Sequence, residues 1–128
     1  MSDNQIPAEQ WFSEGKALRL SGQYAQAIDA LQHALALTPE HAGAHLELGL
    51  AYCYHGLFDE SLQELRTAAA LDPTNPEILV NLAKTFAMLG MYDEAIADFR
   101  VVLDITPHGS KLYEEAQRQL SYFAQLCS

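Results

Sequence analysis

Residue classes recur every 34 positions along this 128-residue chain, and few architectures tolerate such a period. Pro39, Pro73 and Pro107 keep that spacing, as do Gly22, Gly56 and Gly90. So do the aromatics Tyr24, Phe58 and Tyr92 and the small residues Ala27, Ser61 and Ala95. Leu31, Leu65 and Phe99 follow it, then Ala34, Ala68 and Val102, then Leu37, Leu71 and Ile105. Chance does not hold seven residue classes in step three times. The chain is one supersecondary unit built three times over.

Within a unit the spacing predicts two helices and a turn. Gly22, Gly56 and Gly90 stop the first helix, because glycine enters the left-handed region at little steric cost. Tyr24, Ala27, Ile28, Leu31, Ala34 and Leu37 then recur at three- and four-residue steps, one apolar helix face. The proline forbids continuation. Gly15 and Gly49, with Ala83 in the third unit, put small side chains on the first helix where a neighbour can come close. Asn75-Pro76-Glu77 reads as an N-cap, a first-turn proline and a first-turn acid. Paired helices are expected over 8–21 and 24–37, 42–55 and 58–71, and 76–89 and 92–105. A seventh, over 110–126, starts at Ser110 and carries Leu112, Ala116, Leu120 and Phe123 or Ala124 on one side. It would close the last repeat, whose stacking face is otherwise wet. The 128 residues are expected to form a single domain.

Composition removes several function classes. Seven Lys and Arg against seventeen Asp and Glu leave a net charge of −10. Such a chain repels phosphate backbones and anionic lipid headgroups, so neither nucleic acid nor a membrane surface is expected as partner. The polar, acidic start from Met1 to Pro7 does not resemble a secretory signal, and no apolar run nears the roughly 20 residues a membrane helix needs. A cytoplasmic protein is expected. Cys53 and Cys127 lie far apart without ligand spacing, in keeping with reduced thiols. His41 and His45 are four apart, close enough to share a helix face, but no third ligand accompanies them, and no metal or other cofactor is expected. No phosphate loop, nucleophile elbow or zinc-protease motif is present, so the chain is not expected to be an enzyme. The acid pairs Asp59–Glu60 and Asp93–Glu94 fall at starts of second helices, where they complement the helix dipole.

The repeat resembles the tetratricopeptide repeat (TPR) family, whose pattern is Trp-x-x-Leu-Gly-x-x-Tyr, then Ala-x-x-x-Phe, then Pro. The first unit reads Trp11, Glu14, Gly15, Leu18, Ala27, Leu31 and Pro39. The second reads Leu48, Gly49, Tyr52, Ser61, Leu65 and Pro73; the third reads Leu82, Ala83, Phe86, Ala95, Phe99 and Pro107. Glu14 departs from the expected Leu, as suits an N-terminal repeat whose outer side meets water. The resemblance implies an all-α, right-handed superhelical α-solenoid of three repeats, about 8–41, 42–75 and 76–109, plus a capping helix. It also implies a protein-interaction scaffold that binds a peptide or helix of a partner in a concave groove lined by the first helices.

Stepping along those helices gives Glu9, Phe12, Ser13, Lys16, Arg19 and Leu20 in the first repeat. The second contributes Gly43, Leu46, Glu47, Leu50, Cys53 and Tyr54, and the third Glu77, Val80, Asn81, Lys84, Ala87 and Met88. Phe12, Leu46, Leu50, Tyr54, Val80 and Met88 would form an apolar lane free of core duties, flanked by Lys16, Arg19 and Lys84. That pattern suits a hydrophobic segment with acids beside it. Some family members clamp a terminal carboxylate with Lys and Asn residues, but the matching positions here are Phe12, Lys16, Glu47, Glu77 and Asn81. A phenylalanine and two acids cannot hold carboxylates. Two other readings share the scaffold: a self-associating assembly subunit using an exposed end such as Trp11 and Phe12, and a chaperone-like shield for a hydrophobic client segment.

Overall fold

The computed structural model describes residues 6–126; Met1 to Gln5, the greater part of the acidic N-terminal stretch, and Cys127 lie outside them. Among the described residues the regular elements are seven α-helices, with no strand: α1 (Ala8–Leu20), α2 (Tyr24–Leu37), α3 (Ala42–Tyr54), α4 (Phe58–Leu71), α5 (Pro76–Met88), α6 (Tyr92–Ile105) and α7 (Lys111–Leu126). Each first helix ends one residue earlier than expected, with Ser21, His55 and Leu89 as C-caps. The chain falls into two compact units, one ending at Leu71 and the other starting at Asp72.

In the unit made of α1 to α4, the helix pairs close through a missing side chain. A Cβ on Gly15 would stand 2.5 Å from Leu31 Cγ, and one on Gly49 would stand 2.7 Å from Leu65 Cγ. The close approach expected at these glycines is present. Ala27, Leu31 and Ala34 on α2 and Ser61, Leu65 and Ala68 on α4 are sealed off from solvent. Turns after α1 and α3 follow one scheme. Gly22 and Gly56 take φ of 84° and 85°, and the amides of Gln23 and Leu57 reach back to the carbonyls of Leu18 and Tyr52 at 2.9 and 2.8 Å. This is the Schellman stop, which satisfies carbonyls that the helix end would orphan. His41 caps α3: its Nδ1 accepts the amide of Ala44 at 3.0 Å.

The unit made of α5 to α7 repeats the plan and adds a lid. Gly90 has φ of 77°, and the Met91 amide donates to Phe86 O at 2.8 Å. Asn75 caps α5 through Oδ1, which accepts from the Glu77 amide at 3.0 Å, and Ser110 Oγ accepts from the Tyr113 amide at 3.3 Å ahead of α7. Ala95, Phe99 and Val102 of α6 are fully buried, as are Ala83 of α5 and Ala116 of α7. Phe123 of α7 is buried against Phe99, ring centroids 6.1 Å apart.

One periodic position departs from expectation. Leu37, Leu71 and Ile105 stand at the last turn of each second helix and are exposed, so the apolar face of that helix ends one turn earlier than the spacing suggests. Ser61 marks a different irregularity: its Oγ is buried without a hydrogen-bond partner, where the first and third repeats carry alanine.

Two changes probe this packing in thermal or urea unfolding. Gly56→Val forces a branched residue into the left-handed region and should cost about 1–2 kcal/mol. Ser61→Ala removes an orphaned hydroxyl from a site built for a methyl group and should stabilise the fold by about 1 kcal/mol.

Candidate functional site

On α1 and α3 the predicted inner-face residues meet, but as a network tied to itself. Phe12 is half-buried, its ring 4.5 Å from that of His41. Because His41 Nδ1 accepts a backbone amide, its ring proton sits on Nε2, which donates to Glu9 at 2.9 Å. Arg19 reaches across 28 residues to Glu47 through Nε, and both side chains are largely withdrawn from solvent. Leu46, Glu47 and Leu50 are buried. The expectation that Leu46 and Leu50 stand free of the core is therefore corrected: α3 has neighbours on both sides, α2 and α4, and only a narrow strip of it reaches water. Glu47 is likewise no open ligand; it neutralises Arg19.

What remains open on this face is Lys16, Leu20 and Tyr54. Among the described residues Lys16 forms no ion pair. Leu20 and Tyr54 are 68% and 60% exposed, high values for apolar and aromatic side chains, so neither belongs to the core. Tyr54 is braced by Tyr24 of α2, stacked at 5.6 Å with 17° between planes.

In α5 the pattern repeats with different partners. Val80 is buried, 3% exposed, again against expectation, whereas Met88 is 61% exposed. Asn81 spends its Nδ2 on the Glu77 carbonyl of its own helix, 2.9 Å away. Lys84 donates to Glu115 of α7 at 2.6 Å, and Arg118 binds the other oxygen of the same carboxylate. The hydrogen bond from Lys84, with help from Arg118, holds the Glu115 carboxyl below the usual carboxylate range despite partial burial. Thus two of the three bases expected to flank the lane, Arg19 and Lys84, are already neutralised from within, and the basic flank reduces to Lys16.

The repeat position shared by Leu20, Tyr54 and Met88, 34 residues apart, is visible in the sequence; the bracing by Tyr24 and the claim of Glu115 on Lys84 are not. The histidine pair is occupied otherwise. His45 directs Nδ1 to Glu64 and Nε2 to the Pro39 carbonyl, both at 2.8 Å. Among the described residues no three His, Cys, Asp or Glu side chains converge as metal ligands. Asp98 occupies the repeat position of Glu64, but Leu79 stands where His45 would be. Its Oδ2 is buried without a partner, and burial pushes the carboxyl above its usual range. Among the described residues no helix is long and apolar enough to cross a membrane.

The comparisons with known proteins fall on these helices. A family model described as a TPR repeat matches residues 15–56, and one described as a tetratricopeptide repeat matches 47–110, half of the chain. No curated protein matches the chain in sequence. Among solved structures, the type III secretion translocator chaperone SycD of Yersinia enterocolitica, as an alternative dimer, is similar with a TM-score of 0.87 at 20% identity, covering 100% of this chain and 97% of that one. PcrH in complex with the chaperone binding region of PopD has a TM-score of 0.87 at 22% identity, again covering 100% and 97%. The first TPR of Spaghetti (RPAP3), bound to the HSP90 peptide SRMEEVD, has a TM-score of 0.86 at 22% identity and covers 94% of each chain. At these identities the likeness shows the fold, an α-solenoid of helix-turn-helix repeats.

The acid bridge on Lys84 predicts a pH response. A depressed carboxyl contributes stability that is present above its unfolded pKa, near 4.5, and is lost as pH falls through its lower folded value. Lys84→Met should raise the Glu115 pKa in an NMR titration and lower stability at neutral pH, with the difference from wild type shrinking once the pH is acid enough to protonate Glu115 in both.

Proposed function

Because the chain belongs to the tetratricopeptide repeat family, we propose that it is a protein-interaction adaptor without catalytic activity, holding a segment of a partner protein on the faces of its first helices. The observation that carries this reading is the recurrence of exposed apolar side chains, Leu20, Tyr54 and Met88, at one repeat position of an otherwise acidic surface. The partner segment is apolar, with its anchors against Leu20 and Tyr54 and a hydrogen-bond acceptor or carboxylate at Lys16. Affinity on the order of micromolar fits so small a contact. We place the protein in the cytoplasm, working as one repeat domain over its 128 residues.

A C-terminal peptide rich in acids is a poor match. The solved structure with SRMEEVD shows such a peptide on a similar fold. Here Glu47 is buried on Arg19, and Phe12 and Glu77 stand where carboxylate-binding residues would be needed.

A second reading is favoured by the translocator chaperone SycD and by PcrH with the chaperone binding region of PopD, whose structures match the whole chain, the seventh helix included. In that reading the adaptor has one dedicated client, a hydrophobic segment that it keeps from aggregating until assembly, and it works as a homodimer, for which light scattering should give twice the monomer mass.

Leu20→Glu and Tyr54→Glu test the site, since both side chains are exposed and the fold should survive. Each should weaken capture of the partner by about tenfold, the loss expected for an exposed aromatic or aliphatic anchor. Undiminished capture by the double variant would reject the face.

A further inference from the structure

The first repeat leaves open a face that the second repeat has covered. Between α1 and α2 lies a hollow of about 490 Å³, whose lining includes Trp11, Glu14 and Leu18 from α1 and Gln26, Asp29 and Ala30 from α2. The indole of Trp11 is held in place by stacking on His33 at 4.4 Å, with 20° between planes. Neither Leu20 nor Tyr54 lines this hollow.

The repeat itself shows what kind of element covers such positions. The counterpart of Glu14 in the second repeat is Leu48, only 3% exposed. The counterpart of Leu18 is Tyr52, whose hydroxyl accepts a hydrogen bond from Gln32 of α2 at 3.2 Å. A helix from the preceding repeat therefore lies against α3 at this place. Beside α1 none of the described helices takes that role.

Charge narrows the occupant. Glu14 and Asp29 are both exposed at the hollow, and among the described residues neither Lys nor Arg lines it. A second copy placed face to face would bring these acids against their own images, in a chain already at −10. A helix carrying Lys or Arg beside an apolar stripe would bury Trp11 and Leu18 and neutralise both acids. We propose that the α1–α2 hollow docks a basic amphipathic helix of a partner protein, in the place that α2 takes beside α3.

Trp11 is the chain's single tryptophan, so its emission reports on the hollow directly. The probe is a stapled peptide with the sequence of residues 24–37, which contains no tryptophan, carrying Lys in place of Gln32 and Asn in place of its single acid, Asp29; a twin carries Glu in place of that Lys. The Lys peptide should give a saturable change in Trp11 emission, and the Glu peptide should bind about tenfold more weakly at low salt, as expected for two screened surface charges. Asp29→Lys alters an exposed side chain whose carboxylate stands 3.8 Å from His33 Nδ1, and it should weaken the Lys peptide several-fold while leaving the helical circular dichroism intact, whereas Leu20→Glu should leave binding unchanged. Equal affinity for the two peptides, or no saturable change up to about 1 mM, would overturn the proposal. So would self-association in sedimentation that Leu18→Glu abolishes, since the face would then belong to a second copy.

Discussion

Between α3 and α4 the backbones approach so closely that no side chain fits at position 49. Leu65 fills that space, and Leu31 does the same against Gly15 in the first pair. Where these contacts form, the small residues one turn away on the second helix, Ala27 and Ser61, are driven to complete burial. The helix hairpin is thus closed from both sides by small residues around one leucine. Interiors are close-packed, so such a contact admits little variation. The Schellman turns at Gly22 and Gly56 deliver the chain to it, since only a left-handed residue reverses direction while satisfying the last carbonyls. The third pair departs in detail, with Ala83 and Phe99 at the matching positions, both buried.

Electrostatics works inward in this protein. Arg19 binds Glu47 and Lys84 binds Glu115, each pair joining two first helices or a first helix to the lid. A partially buried ion pair does little for net stability, but removing one member strands the other. The effect on recognition is plainer. With these cations paired, Lys16 is the one lysine of the first helices that forms no ion pair among the described residues, and it shares those helices with the exposed Leu20, Tyr54 and Met88. In the function proposed above, recognition rests on shape and apolar area, and discrimination among partners falls to what surrounds that area.

The legible part of the fold was local. Caps such as Asn75 and Ser110 and the stops at Gly22, Gly56 and Gly90 depend on residues within a few positions of each other and appear where the pattern puts them, and the helix limits fall within one residue of it. The site was legible only in part. Helical spacing puts Leu46, Leu50 and Val80 on the inner face but does not say how closely other helices flank it: α3 packs on both α2 and α4, α5 packs on α6 and α7, and all three residues are buried. Leu37, Leu71 and Ile105 failed in the opposite sense: helical periodicity says which way a residue points, but not whether the neighbouring helix extends far enough to cover it.

By itself the sequence determined the repeat, the seven helices and their boundaries, because a 34-residue period written in Gly, Pro and small residues constrains backbone geometry directly. Only the tertiary structure decided which charges are spent inside and which side chains meet water. Arg19 and Glu47 are 28 residues apart, and their pairing does not recur: the counterparts of Arg19 are Cys53 and Ala87. Nothing periodic announces a contact that happens once, and such a contact exists only when two helices from different repeats lie side by side.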